Sequence, residues 1–246
     1  MNRRLGREQA GLLFGLPVFV AIVFGGWLIW RFTTDLDSIE ARQLAWDTVG
    51  RLTWEHIVLT VICTVVVVCT AIPIGVALTR PGLRRAAPLV EAVANAGQAA
   101  PAIGLLVLLA IWIGFGVPTA VLALSVYAFL PVLRNTITGL QAVDRTLIEA
   151  GRGMGMSATG VLTRIELPMA VPVIMTGVRT ALVLVVGTAS FATFIDAGGL
   201  GALIQTGITL FRFKILVSGA LLVALLALLV DWIGRVLEML VKPKGL

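Results

Sequence analysis

The chain has 246 residues, of which 59% are hydrophobic and 13% charged, whereas soluble domains carry roughly a quarter charged residues. That balance excludes a soluble enzyme or binding module and indicates an integral membrane protein. The formal charge of +6 needs no nucleic-acid partner, because its basic residues distribute as a membrane-topology signal.

A hydrocarbon core about 30 Å thick takes about 20 apolar residues in a helix. The sequence offers six such stretches, near residues 11–31, 56–78, 89–113, 119–141, 169–195 and 216–239. The first follows Arg3, Arg4 and Arg7. It is longer than a signal-peptide core and no A-x-A site follows Trp30, so it reads as a retained anchor helix. With the N-terminus inside, the inner segments carry Arg3, Arg4, Arg7, Arg80, Arg84, Arg85, Arg134, Arg145, Arg152, Arg164, Arg235, Lys242 and Lys244. The outer segments carry only Arg31, Arg42, Arg51, Arg212 and Lys214, so both termini are expected in the cytoplasm. Trp27, Trp30, Trp46, Trp54 and Trp112 fall toward the outer ends, where amphipathic rings prefer to lie. His56 reads as the interfacial start of the second span. Cys63 and Cys69 read as packing residues, with no disulfide framework and no metal set.

Within the third stretch Glu91, Asn95 and Gln98 recur at i, i+4 and i+7, beside a small-residue ridge of Ala92, Ala96, Ala100 and Gly104. Polar side chains in a membrane face protein or water, so the stripe is either interhelical glue or the lining of a path. Pro17, Pro73, Pro101, Pro131 and Pro172 each interrupt a different span, which suggests a bundle that bends or surrounds a cavity. Arg179, inside the fifth span, costs about 2.5 to 3.5 kcal/mol at mid-membrane, and so requires an acidic partner, carbonyls or water, unless it snorkels to the inner face. In SFATFIDAGGLGALI (190–204), Gly198, Gly199 and Gly201 permit turns that re-enter or cap a cavity from outside, with Asp196 as the only charge.

EAGRGMGMSATGVLTRIELP (149–168) is too polar to insert and too short to span. Leu147, Met154, Ala158, Val161 and Ile165 form an apolar face on a short interrupted helix, with Arg145, Glu149, Arg152 and Arg164 opposite. Gly151, Gly153 and Gly155 weaken a continuous helix and permit a turn, after which Ser157 caps a second short helix. Such an element is a cytoplasmic docking protrusion or an amphipathic connector resting on the bilayer.

Glu149 and Ala150, Gly155 six positions after Glu149, and Leu167 with Pro168 resemble the EAA loop of permease subunits of bacterial binding-protein-dependent ABC importers. PIGVALTRP (73–81), YAFLPVLRNTITGL (127–140), IEAGRGMGM (148–156), ELPMAVPVIMTGVRTA (166–181) and AGGLGALI (197–204) resemble the osmoprotectant branch, importers of glycine betaine, choline, carnitine and similar quaternary amines. The likeness spans about 54–240. It departs where Gln98 is followed by Ala99, Ala100, Pro101 and Ala102, at Gly151, and at Asp196.

The resemblance implies an all-α polytopic helix bundle of about six spans: a type I ABC importer permease (MetI-like) core of five helices plus one N-terminal helix. Residues 1–53 would form the anchor and external loop, and 54–246 the transmembrane domain with its cytoplasmic coupling segment, 144–167. It implies that Glu149, Ala150, Gly151, Gly155, Met156 and Pro168 couple to an ATPase. Glu91, Asn95, Gln98, Pro101, Arg179, Asp196, Gly198, Gly199 and Gly201 are the candidates for path or gate. The implied partners are ABC ATPase subunits, a second permease subunit (same or related chain), a separate extracytoplasmic solute-binding protein and membrane lipid, in the bacterial cytoplasmic (inner) membrane. The chain has no GxxxxGK[ST] loop, so ATP and Mg are expected on the ATPase and no cofactor on this chain. A permease for another small amino-acid-like solute and a passive solute channel are the alternatives. A channel needs no docking protrusion.

Overall fold

A computed structural model describes residues 7–241; Arg3, Arg4, Lys242 and Lys244 lie outside the described residues. Regular structure among the described residues is entirely helical: α1 Arg7–Thr33, α2 Ser38–Gln43, α3 Trp46–Leu78, α4 Ala87–Ala99, α5 Ala102–Ile113, α6 Val117–Gln141, α7 Arg145–Gly153, α8 Ala158–Val161, α9 Leu167–Ala189, α10 Gly201–Thr209 and α11 Phe213–Val241. A π turn, Leu162–Glu166, leads into α9, and a 3-10 turn, Ser190–Ile195, follows it. Five helices (α1, α3, α6, α11, and α9 with the short turns around it) are long and apolar enough to cross a membrane.

The sixth expected span is different. α4 and α5 meet at 97°, so residues 89–113 form a bent pair, in place of the single helix anticipated. Proline disfavours the helical conformation in the residue before it, and Ala100 is extended at φ −64°, ψ 142°. The other four prolines sit inside helices that continue through them, so Pro101 alone breaks a span. The polar stripe is therefore confined to α4 and cannot line the membrane from one side to the other.

α6 is the hub. It packs against α9, α3, α4 and α5, and Leu124, Ala128, Val132 and Leu133 are buried along it. Small residues allow the close approach that drives helix association in lipid. At Gly177 a Cβ would lie 2.6 Å from the Asn135 Cβ and 2.7 Å from the Pro131 carbonyl, so α9 touches α6 backbone to backbone. Within this chain the small-residue ridge anticipated on the third stretch does not make the contact with α6: Ala92, Ala96 and Gly104 are exposed, and α4 turns Ala94 and Gly97 toward α6. α1 stands outside this core and packs mainly on α11, where the Trp27 indole donates to the Ser218 hydroxyl at 3.0 Å.

Polar contacts gather at the two ends of the bundle. At one, Lys214 donates to the Asp35 carbonyl (2.7 Å) and to Glu40 (3.0 Å), Arg212 pairs with Asp37 (2.7 Å), and Gly116 donates to the Ile195 carbonyl (2.7 Å). At the other, the Arg80 guanidinium grips both oxygens of buried Glu166. Connections 34–45, 114–116 and 190–212 thus share one end, and 79–86 and 142–166 share the opposite one, as alternating spans require.

Candidate functional site

Two elements carry the candidate chemistry, one at each end. The first is 144–166. Asp144 caps α7 by accepting from the Thr146 N–H at 2.8 Å, and that hydrogen bond, with the Thr146 hydroxyl, holds its carboxyl below the usual carboxylate range. α7 ends in a Schellman motif: Met156 N–H bonds the Gly151 carbonyl (3.1 Å) and Gly155 N–H bonds the Arg152 carbonyl (2.9 Å). The residue between, Gly155, takes φ +83°, the left-handed conformation that favours glycine. Ser157 then caps α8 by accepting from Gly160 N–H at 3.1 Å.

Gly151 and Gly153 lie within α7, so the turn belongs to Gly155 alone. Gly151 instead permits contact: a Cβ there would come 2.6 Å from the Ile165 Cδ1. The single apolar face anticipated for Leu147 to Ile165 does not exist. The left-handed turn resets the helical phase, leaving Val161 and Ile165 turned inward while Leu147, Met154 and Ala158 are exposed. Glu149, Ala150, Met154 and Gly155 form a solvent-facing surface, and Pro168 sits in the first turn of α9, where its missing N–H costs nothing.

The second element is the loop after the Ser190–Ile195 turn. Asp196, Gly198 and Gly199 adopt φ +58°, +78° and +92°. The Glu55 carboxylate accepts from the Gly199 N–H (3.1 Å), and a Cβ on Gly198 would meet the same carboxylate at 2.5 Å. His56, expected at the interface, is fully buried. Its Nδ1 accepts from the Leu200 N–H (3.3 Å), which leaves Nε2 to donate to the Val186 carbonyl (2.9 Å) and assigns the Nε2-protonated tautomer. Glu55 and His56 thus pin the loop to α3. The sequence signal was a histidine followed at once by a long apolar run, whose two ring nitrogens both needed partners. Asp196 is exposed beside this latch. Gly201 has no left-handed φ; it opens α10 packed against the Ser190 carbonyl, so its role is contact.

The other path candidates do not converge on one site. Glu91 reaches Arg134 of α6 at 3.5 Å, Gln98 is half-buried, and Asn95 and Pro101 are exposed on the α4–α5 bend. Arg179 lies elsewhere, between α9 and α11.

Residues 71–243 match the family described as "Binding-protein-dependent transport system inner membrane component". The chain belongs to this family of transport permeases. The glycine betaine/carnitine/choline transport system permease protein OpuCB of Bacillus subtilis (strain 168) is 38% identical over 194 residues, covering 79% of this chain and 88% of its own. Carnitine transport permease protein OpuCD of Listeria monocytogenes is 40% identical over 190 residues, covering 75% and 84%. Osmoprotectant import permease protein OsmW of Salmonella typhimurium is 38% identical over 203 residues, covering 79% and 92%. Among solved structures, a chain of the inward-facing MetNI methionine ABC transporter matches with TM-score 0.70 and 25% identity, over 79% of this chain and 96% of its own. A chain of an amino acid ABC transporter crystallised with histidines shares the fold, with TM-score 0.66 at 16% identity over 84% and 99%. The residues matched by the family begin within α3 and run through α11, and α1 lies outside them.

In this permease Arg179 finds the acidic partners that its position demands. It pairs with Asp231 (3.3 Å) and Glu238 (2.9 Å) of α11, and Asp231 is shared with Arg235 (2.8 Å). Gly234 makes room for the Arg179 stem, since a Cβ there would lie 3.0 Å from its Cγ. Arg179→Ala leaves Glu238 without a cation among the described residues and is expected to destabilise the permease by about 2 kcal/mol, below the value for a fully buried pair because these side chains are partly exposed. Thermal unfolding in detergent measures it. Arg179→Ala with Glu238→Gln should lose less than the two single losses added together; strict additivity would remove the ion pair from the account.

Proposed function

We propose that this permease subunit imports compatible solutes of the quaternary-amine class, glycine betaine, choline or carnitine, in an ATP-driven complex. The carrying observation is the exposed α7 turn at Gly155, a rigid protrusion that a passive channel has no use for. The names of the three relatives support the solute class. ATP and Mg²⁺ would be bound by separate ATPase subunits, which take Glu149, Ala150, Gly155 and Met156 into a groove. A second permease, the same chain or a related one, would complete the translocation path against the exposed α4 surface carrying Asn95 and bordered by Glu91, Gln98 and Pro101. An extracytoplasmic binding protein would dock on the end bearing Asp196 and deliver the solute there. ATP binding would draw the coupling segments together and open the outer face, and hydrolysis would reset it.

Reconstitution with the cognate ATPase and binding protein tests this reading. ATP-dependent uptake of labelled glycine betaine, choline or carnitine is expected. Uptake only of amino acids such as methionine would favour the amino-acid alternative, and uptake independent of ATP would favour a channel.

The same reading places 144–167 and both termini in the cytoplasm. With Cys63 and Cys69 replaced by alanine, Ser38→Cys should react with an impermeant thiol reagent added outside intact cells, and Ser157→Cys should not. Both serines are exposed, so access alone decides the outcome. Labelling at 157 would invert the orientation.

A further inference from the structure

Beneath α7, at the end of the bundle that holds Glu166, lies a cleft of about 530 Å³. Its walls come from the end of α3 and the connection after it (Thr79, Arg80, Arg84), from the end of α6 (Gln141), and from α7 (Arg145, Arg152). Two carboxylates also face it, Glu149 and Glu166. Glu166 is consumed by Arg80, whose guanidinium bonds both of its oxygens. Arg84, Arg145 and Arg152 form no ion pair among the described residues, and Glu149 is the single unpaired acid against them. The cleft therefore presents surplus positive charge from separate elements into one concavity.

We propose that this cleft binds a phosphate-bearing anion, held by Arg84 and Arg145 with Arg152 at its edge. Unpaired guanidinium forks match phosphate oxygens two at a time, which an ammonium cannot do. A cleft of about 530 Å³ falls within the size range of small-molecule sites and has room for a phosphate-bearing headgroup. Its position indicates the source. Leu83 and Leu89 flank Arg84 with exposed side chains, so the cleft opens where the apolar surface of the bundle gives way to charge, the level of lipid phosphates. A phospholipid headgroup and a free phosphate share this chemistry, and the test separates them.

The permease–ATPase complex, purified in neutral detergent, would be titrated with phosphatidylglycerol or phosphatidylcholine and the bound lipid counted by native mass spectrometry, with inorganic phosphate as competitor. The expected result is one retained phosphatidylglycerol per permease. Arg84→Gln with Arg145→Gln should weaken it by about thirtyfold, the loss of two cations near a membrane surface. Arg42→Gln, at the opposite end, should leave it unchanged. Displacement by millimolar inorganic phosphate would support the site with a free anion as its source. Phosphatidylglycerol bound equally by the double variant would overturn the proposal. So would retention of neither anion by the complex, or retention only after the ATPase is removed, which would give the cleft to an acidic surface of that subunit.

Discussion

Gly155→Trp is expected to abolish uptake and solute-stimulated ATP hydrolysis while the permease still folds. Gly155 is the left-handed residue of the Schellman turn at φ +83°, and among the described residues a Cβ there meets nothing within 4 Å beyond its chain neighbours. Within the permease the substitution therefore costs backbone strain alone, about 1 kcal/mol for one residue held in that region. The indole instead projects from the exposed surface shared with Ala150 and Met154, where the ATPase groove would receive it. An interface of complementary shape has no space for so large a ring. Gly155→Asn separates the two effects, since asparagine tolerates the left-handed region and adds far less bulk. It should keep most of the stimulated hydrolysis. Glu149→Ala should weaken coupling less than tryptophan does, because an exposed ion pair is worth only about 0 to 1 kcal/mol. The measurements are ATPase activity of the reconstituted complex with saturating loaded binding protein, and co-purification of the ATPase. Full stimulation in Gly155→Trp would make 144–167 a connector resting on the bilayer.

How far such features can be read beforehand depends on how local their cause is. The spans were legible because a membrane forces every backbone group into intrahelical bonds, so an apolar run of sufficient length has few alternatives. Residues 89–113 met that criterion and still bent, because hydropathy does not register the steric effect of Pro101 on Ala100. The helical wheel from Leu147 to Ile165 failed for a related reason. One left-handed glycine shifts the phase of every residue after it, and periodicity counted across it loses meaning. The cap at Ser157 depended only on neighbouring residues and was readable. His56 was misplaced because its burial is decided by Val186 and Leu200, far away in the chain. The partners of Arg179 were within reach: Asp231 and Glu238, seven apart on the last span, put two carboxylates on one helix face.

Gly201→Ala should be the most damaging glycine-to-alanine change among the described residues. The added Cβ would stand 1.9 Å from the Ser190 carbonyl oxygen and 2.7 Å from its carbon, and a backbone cannot swing aside as a long side chain can. Either α10 lifts from the Ser190–Ile195 turn or that turn moves. α10 buries Leu203 against a cluster that includes Trp27, Val186 and Ile215, so a shift of its first residue loosens contacts on α1, α9 and α11 together. It also draws the adjoining 199–200 segment away from α3. The Glu55 carboxylate would lose the Gly199 N–H, and the buried His56 ring would lose Leu200, leaving a polar nitrogen without a donor. Overpacking of this kind costs about 3 kcal/mol or more, which for a chain of this size lowers the unfolding midpoint by about 6 to 12 °C. Gly187→Ala is the matched control, an α9 glycine with nothing within 4 Å of its added Cβ. Thermal unfolding of the two variants in the same detergent gives the comparison. Equal midpoints would mean that α10 does not rest on the Ser190 carbonyl, and the close packing behind the loop of Asp196 to Gly199 would have to be abandoned. A lowered midpoint with normal uptake at low temperature would keep the packing but detach it from transport, leaving Asp196 and the two left-handed glycines as the functional part of that loop.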